Sequence, residues 1–213
     1  MSAAALPKPS GLIAALLLGL AALGSAPLLA HQHEHQHTPL SAQPLHHHES
    51  LYHLAAGWTD QRGQQLQLGD LTGSPVIISM IYGNCRTACP MLVNDARQIL
   101  KRLDDEQQAQ IKVVFVSFDS ERDSPEALAD YAETMAVDTD NWYFLHGNAA
   151  DVRTLASLLG IRYRQNADGS FDHSNLLALL DREGRIAVRL EGLQQPPEPL
   201  LKKLAQMQPS LQQ

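Results

Sequence analysis

The fold of this chain is decided by the stretch Val76-Ile77-Ile78-Ser79-Met80-Ile81-Tyr82-Gly83-Asn84-Cys85-Arg86-Thr87-Ala88-Cys89-Pro90. Its first half, residues 76–82, is a nearly continuous apolar run, which is typical of a strand buried on both faces of a parallel sheet. A helix is predicted to begin around Pro90, because proline is favoured in a first turn whose amide has no partner. Both cysteines of the chain therefore lie where a buried strand leads into a helix.

Two thiols at the start of a helix lie at the positive end of its dipole, which lowers the thiol pKa. Cys85 and Cys89 are four positions apart, and on a helix such positions share a face, with Cα atoms about 6 Å apart. That separation permits a disulfide. The pair is predicted either to exchange between dithiol and disulfide or to bind a soft ion such as Cu(I). A structural disulfide is the weaker alternative, because the short loop it closes restrains little of the unfolded chain.

Composition limits the class of protein that this chain can be. Its length of 213 residues suits one domain with appendages, and its formal net charge is −7. Because the basic residues are scattered along the chain, we expect no nucleic-acid partner. Aromatic residues make up only 5% of the chain, so the predicted core is aliphatic.

Residues 1–30 are predicted to be a signal peptide rather than part of the fold. They contain Lys8, an uncharged run rich in leucine and alanine, and small residues suited to cleavage after Ala30. An uncleaved anchor is the alternative, since about 20 uncharged residues are enough to span a bilayer. Both alternatives export the globular part to the periplasm, either free or anchored in the inner membrane.

Residues 31–50 are predicted to be a flexible tether, because they contain too few apolar residues to fold. Imidazole binds Cu(II), Ni(II) and Zn(II), so the histidines of the tether form a candidate auxiliary metal site. These histidines are His31, His33, His35, His37, His46, His47 and His48. After cleavage at Ala30, the free amine of His31 and the imidazole of His33 would suit a square-planar Cu(II) site. A solvated linker without a metal role is the alternative.

The remaining segment, residues 51–213, is predicted to form one domain in which strands and helices alternate. Strands are predicted at 76–82, 111–118 and 142–145, and hairpins at 51–71 and 174–190. Helices are predicted from Pro90 to about Asp105, from Pro125 to about Met135, and at 148–159 and 198–207. This order predicts an α/β fold, namely a thioredoxin-like mixed sheet flanked by helices with an added N-terminal β-hairpin.

A trigonal site for Cu(I) needs a third ligand besides the two thiolates. His173 is the candidate, because it lies in a loop that enters the late hairpin, which in a thioredoxin-like sheet comes beside the cysteines. Asp172 is a candidate for an outer group that orients the imidazole ring. The alternative is a loop histidine without a function.

Asp119 and Asp123 follow the second buried strand and are candidates for outer groups near the metal or for partner contacts. The favoured alternative is structural. On that interpretation Asp119 ends a strand, and Asp123 is an acid at a helix start, where the dipole stabilises its charge.

Three motifs together resemble those of the Sco/SenC family. Residues 82–90 resemble its cysteine motif, and residues 116–125 resemble its second signature. Asp172-His173-Ser174, followed by residues 179–185, resembles the third, and the set covers the domain from about Leu51 to Met207. Arg86 and Ser120 stand where the family often has proline. These two differences affect the surface around the site, and so the identity of the protein that would receive the metal, but they leave the candidate ligands in place.

The resemblance implies a periplasmic thioredoxin-like copper chaperone of cytochrome oxidase assembly, with Cu(I) or Cu(II) bound by Cys85, Cys89 and His173. It implies delivery of copper to a client such as a haem–copper cytochrome oxidase, and a thiol reductant or another copper carrier as further partners. A metallochaperone of this kind transfers metal without catalytic turnover. The first alternative is a thiol–disulfide oxidoreductase that uses Cys85 and Cys89 to reduce the cysteines of a copper client. The second is a redox or copper sensor.

Overall fold

The computed structural model describes residues 50–137 and 140–207 of the chain. The predicted signal peptide and residues 31–49 of the predicted tether lie outside the described residues, and so do all seven histidines of the candidate auxiliary site. Within the described ranges, no helix is long and apolar enough to cross a membrane.

Strands and helices alternate along the described ranges, as predicted. The strands are β1 (Trp58–Asp60), β2 (Gln65–Leu66), β3 (Val76–Ile81), β4 (Lys112–Ser117), β5 (Trp142–His146), β6 (Tyr163–Gln165), β7 (Phe171–His173), β8 (Leu176–Leu180) and β9 (Ile186–Glu191). The α-helices are α1 (Ala88–Leu100), α2 (Asp105–Gln110), α3 (Pro125–Thr134), α4 (Ala149–Leu159) and α5 (Glu198–Met207). Two short 3-10 helices, Leu51–His53 and Leu68–Leu71, flank the first two strands.

A mixed sheet with the strand order β2-β1-β5-β4-β3-β8-β9 forms the centre of the fold. β3, β4 and β5 are parallel to one another, while the outer pairs of strands are antiparallel. The predicted N-terminal hairpin is present as β1 and β2, at one edge of this sheet. The α/β class predicted from the sequence is therefore confirmed.

The core of the domain lies on both faces of the central strands. Every residue of β3 and of β8 is buried, which explains why their sequences are apolar without alternation. Full burial of one valine, leucine or isoleucine side chain contributes about 1.5–3 kcal/mol to folding. Aromatic side chains also belong to the core; on neighbouring strands, for example, Phe115 stacks on Phe144 with ring centroids 5.6 Å apart.

The first predicted helix is corrected by the structure. α1 begins at Ala88 rather than Pro90 and ends at Leu100, before the predicted end at about Asp105. A separate helix, α2, follows, because Asp104 caps it by accepting a hydrogen bond from the backbone N–H of Gln107. The side chain of Gln107 in turn accepts a bond from the backbone N–H of Asp104. This reciprocal pair is a capping box, which starts a new helix.

A second sheet, made of β6 and β7, replaces the loop predicted around His173. In its register Tyr163 lies opposite His173, and Gln165 lies opposite Phe171. Its turn contains Gly169, whose φ of +81° is in the left-handed region that favours glycine. His173 is therefore held at the end of a strand.

Gly147 follows β5 and lies against the buried indole ring of Trp58. A Cβ atom at Gly147 would lie 2.4 Å from Cζ3 of Trp58, so Gly147→Ala would displace a rigid ring from the core. We expect Gly147→Ala to lower the free energy of unfolding by about 1–3 kcal/mol, measured by urea denaturation. Gly57→Ala is the matched control, since a Cβ at Gly57 meets no atom within 4 Å. Equal effects of the two substitutions would contradict this account.

Candidate metal centre

The candidate site lies at the carboxyl ends of β3 and β4, which adjoin because these strands are parallel. The backbone N–H of Cys85 donates to the carbonyl of Tyr82, which makes a turn directly after β3. Cys89 is the second residue of α1, whereas Cys85 lies outside the helix. The prediction that both cysteines share the face of one helix is therefore wrong. Their sulfurs converge because the turn folds Cys85 back over the helix start.

The turn places the sulfur of Cys85 over the first turn of α1. The backbone N–H of Cys89 donates to Sγ of Cys85 at 3.3 Å. Amides in the first turn of a helix have no partner within the helix, so a sulfur anion in this position is stabilised by a hydrogen bond and by the helix dipole.

The structure brings the three predicted ligands together. Sγ of Cys85, Sγ of Cys89 and a ring nitrogen of His173 all lie within 4.8 Å of one another. Sγ of Cys89 is 3.9 Å from Nε2 of His173. Both cysteines are free thiols and are buried, with 7% of Cys85 and none of Cys89 exposed. Two sulfur donors and one imidazole in a site that is largely buried from solvent fit a soft ion such as Cu(I).

The ring of His173 is oriented by a backbone carbonyl. Its Nδ1 lies 3.3 Å from the carbonyl oxygen of Ser174. A carbonyl only accepts hydrogen bonds, so Nδ1 is the donor and Nε2 is the ring nitrogen that faces the thiols.

Aromatic side chains surround the imidazole of His173. The centroid of its ring lies 5.1 Å from that of Phe118 and 6.1 Å from that of Tyr82. Phe171 contacts both of these rings, and Tyr163 stacks on Phe118. We call Tyr82, Phe118, Tyr163 and Phe171 the aromatic cluster. Sequence reasoning missed it, although three of its members lie in or next to the three motifs.

One proton is shared unequally between the two thiols. The hydrogen bond from the Cys89 thiol is the largest cause that lowers the pKa of Cys85 to about 4, and backbone N–H groups act in the same direction. The same hydrogen bond, together with burial, raises the pKa of Cys89 far above its ordinary value. In the metal-free protein Cys85 is therefore a thiolate at neutral pH, while Cys89 stays protonated.

Asp123 contacts the loop that carries Cys85. Its Oδ2 accepts hydrogen bonds from the backbone N–H of Gly83 at 2.7 Å and from the hydroxyl of Ser117 at 2.5 Å. Burial raises the pKa of this carboxyl, of which only 4% is exposed. The structure thus gives Asp123 a contact with the cysteine loop that its interpretation as a helix-start acid did not include.

Asp119 is buried as well and forms an ion pair with Arg122, whose Nε lies 2.5 Å from its Oδ2. Its backbone carbonyl accepts hydrogen bonds from the backbone N–H groups of Arg122 and Asp123, which makes a tight turn after β4. Asp119 therefore shapes the segment that bears Asp123.

Asp172 does not orient His173, which corrects that prediction. Its carboxylate accepts hydrogen bonds from Arg164 at 2.9 Å and from Asn166 at 3.2 Å, and its side chain is 64% exposed. Successive side chains of a strand point to opposite faces, so Asp172 points away from the site when His173 points into it.

This arrangement of donors defines a class of protein. It is an α/β domain with a mixed sheet, in which two cysteines after a central strand meet a histidine from a later hairpin. Residues 52–208 match the SCO1/SenC family, and the chain belongs to that family.

Known relatives agree with this assignment. The SCO1 protein homolog of Bacillus subtilis is 25% identical over 141 residues, which cover 65% of this chain and 72% of the relative. The structure of ScoI from Bradyrhizobium japonicum with copper bound is similar, with a TM-score of 0.61, 24% identity, and coverage of 72% of this chain and 97% of that one. The structure of a SCO1/SenC family lipoprotein from Bacillus anthracis str. Ames is also similar, with a TM-score of 0.64 and 24% identity. The match covers 71% of this chain and 91% of that one. These similarities confirm the thioredoxin-like fold.

The lowered pKa of Cys85 predicts how the reactivity of its thiol depends on pH. In the reduced, metal-free protein, alkylation of Cys85 by iodoacetamide should lose half its rate only when the pH falls to about 4, because the thiolate is the nucleophile. Cys89→Ala removes the main cause of the low pKa, so the midpoint should move towards the ordinary value. Mass spectrometry of the alkylated peptide measures the rate at each pH. A wild-type midpoint near the ordinary thiol pKa, about 8.5, would contradict this prediction.

Proposed function

We propose that this protein is a copper metallochaperone that binds copper through Cys85, Cys89 and His173 and delivers it to a copper enzyme. The observation that carries the proposal is the convergence of these three donors within 4.8 Å. Membership of the SCO1/SenC family supports it, as does the related Bradyrhizobium protein whose structure has copper bound.

The site is suited to take up Cu(I) with little reorganisation. The Cys89 thiol and backbone N–H groups already favour a thiolate at Cys85, and Nε2 of His173 already lies 3.9 Å from Sγ of Cys89. A thiol must lose its proton to bind a metal ion, so uptake of the ion releases the proton of Cys89. Two thiolates and one imidazole match the preference of Cu(I) for soft ligands.

Access of a partner to the site supports a transfer role. Cys85 lines a groove of about 690 Å³ between the cysteine loop and α3. Arg86, which is exposed beside Cys85, and Tyr131 of α3 also line this groove. A client can therefore approach Cys85 first, exchange ligands there and draw the ion away from the buried Cys89.

The client that we propose is a haem–copper cytochrome oxidase or a similar copper enzyme. A thiol reductant and another copper carrier are the further partners of this cycle. We propose a periplasmic location, reached through residues 1–30, with contact to the membrane only if that segment is retained. The apolar run in these residues supports export.

A second candidate function is thiol–disulfide exchange on a copper client. The observation that favours it is the pairing of a thiolate at Cys85 with a buried thiol at Cys89, which is the arrangement of a nucleophilic and a resolving cysteine. Oxidation of the pair to a disulfide would remove two of the three copper ligands. Redox state would then control copper binding, which is also the basis of the sensor alternative.

The substitution His173→Ala separates these functions. It should weaken Cu(I) binding by more than about 100-fold, since loss of a direct ligand costs more than loss of an outer group. The dithiol should still reduce a model disulfide, because both sulfurs remain. The measurements are anaerobic competition with a Cu(I) chelator and the rate of disulfide reduction.

His53→Ala is the matched control for that experiment. His53 ends the first 3-10 helix. The backbone N–H of Leu51 in that helix donates a hydrogen bond to the carbonyl of Gly184 in the turn after β8, away from the cysteines. Copper affinity should be unchanged in His53→Ala. Full copper affinity in His173→Ala would overturn the assigned ligand set.

We also propose that the histidine-rich tether collects copper for the cysteine site. Seven histidines between His31 and His48 support this role, because imidazole binds Cu(II). Deletion of residues 31–48 should slow copper loading when copper is limiting and leave it unchanged when copper is in excess. The measurement is copper content against time at both concentrations. Equal loading of the two proteins at limiting copper would show that the tether has no such role.

A further inference from the structure

The third copper ligand lies on an element that the main sheet does not hold. His173 ends β7, which within the part of the chain that the structure describes pairs with β6 alone, in a separate sheet of two strands. An isolated pair of strands is marginally stable in water. Besides the short link to β8, which begins at Leu176, contacts between this hairpin (residues 163–173) and the rest of the domain therefore position His173 over the thiols.

Arg122 supplies such contacts from the turn after β4. Its Nη2 donates a hydrogen bond to the carbonyl of Gly169 in the turn of the hairpin. Its guanidinium also lies over the ring of Phe171, 5.8 Å from the centroid, two residues before His173. Its Nε is held at 2.5 Å by the buried carboxylate of Asp119. One planar side chain thus joins the turn after β4 to the hairpin.

The neighbouring residue, Asp123, contacts the other half of the metal site. It accepts hydrogen bonds from the backbone N–H of Gly83 and from Ser117, as described above. Adjacent residues of one turn therefore hold the loop of Cys85 and the hairpin of His173. We call this turn, residues 119–123, the bridging turn.

Two glycines allow these close approaches. A Cβ atom at Gly83 would lie 2.9 Å from Oδ1 of Asp123, and one at Gly169 would lie 2.7 Å from Nη1 of Arg122. Asp123 and Arg122 of the bridging turn thus each make a contact at a glycine, where the facing segment has no side chain. This pattern indicates that the two halves of the site fit the same turn.

We propose that Arg122 is a positioning residue of the metal site. It fixes the hairpin so that Nε2 of His173 faces the thiols, whose loop Asp123 holds from the same turn. The guanidinium is suited to this task because its planar fork donates to Asp119 and to Gly169 at once, which an ammonium on a flexible stem does not reproduce. This inference rests on the proposed copper function.

The test is the Cu(I) affinity of Arg122→Gln, measured by anaerobic competition with a chelator. Loss of an outer group that orients a ligand typically weakens metal binding about 10–100-fold, and we expect a loss in that range. In the His173→Ala background the same substitution should cause no further loss, because Arg122 acts through His173. The double-mutant cycle therefore reports the coupling directly.

Two further variants separate position from charge. Arg164→Gln removes an exposed ion pair with Asp172 on the same hairpin, and such pairs contribute little, so it should change copper affinity less than about threefold. Arg122→Lys keeps the charge but loses the fork, and it should bind copper more weakly than wild type. Wild-type affinity in Arg122→Lys would overturn the positional role.

A measurement without copper tests the same inference independently. Amide hydrogen exchange of residues 163–173 in the metal-free protein should be faster in Arg122→Gln than in wild type or Arg164→Gln. If wild type fails to bind Cu(I), the proposed function is wrong, while hydrogen exchange still tests the anchoring. If wild type binds Cu(I) and Arg122→Gln binds it equally well, or still loses affinity without His173, the inference is wrong.

Discussion

The parallel pairing of β3 with β4 is the constraint on which the rest of the site depends. Its register places Ile81 beside Ser117, so the loop of Cys85 and the bridging turn leave the sheet side by side. Groups after neighbouring parallel strands meet at one edge of a sheet, which is where open α/β sheets bind their ligands. β3 is buried along its whole length, so close packing on both of its faces holds this edge in place.

The hydrogen bond between the two thiols gives the two sulfurs different chemical roles. Cys89 is fully buried in the first turn of α1, and its hydrogen bond to Cys85, together with this burial, raises the pKa of its thiol and keeps it protonated as a hydrogen-bond donor. Cys85 lies in the turn before the helix, where the thiol of Cys89 and backbone amides all stabilise its negative charge. A pair with one anionic and one neutral sulfur can serve copper binding or disulfide exchange. His173 is what adds a complete soft-metal site to this dithiol.

The sequence predicted the elements whose signals are local and strong. Two apolar runs gave the buried strands β3 and β4, and Ser124 followed by Pro125 gave the start of α3. The boundary between α1 and α2 could have been predicted from Asp104 and Gln107, which form a capping box. The hairpin of β6 and β7 could not, because its strands are three residues each and contain no fully buried residue, which leaves too short an apolar pattern to recognise.

What the sequence by itself determined is the chemistry available to this protein: two cysteines at a strand–helix junction, a later histidine, and three motifs in the order of one family. Only the tertiary structure decided how these residues act together. Asp172 and His173 are neighbours in sequence, yet the alternation of a strand sends one to solvent and the other to the thiols. Arg122 and Gly169 are 47 positions apart, and a hydrogen bond joins them because the bridging turn packs against the hairpin. Contacts of this kind depend on packing between distant segments, which local sequence patterns do not encode.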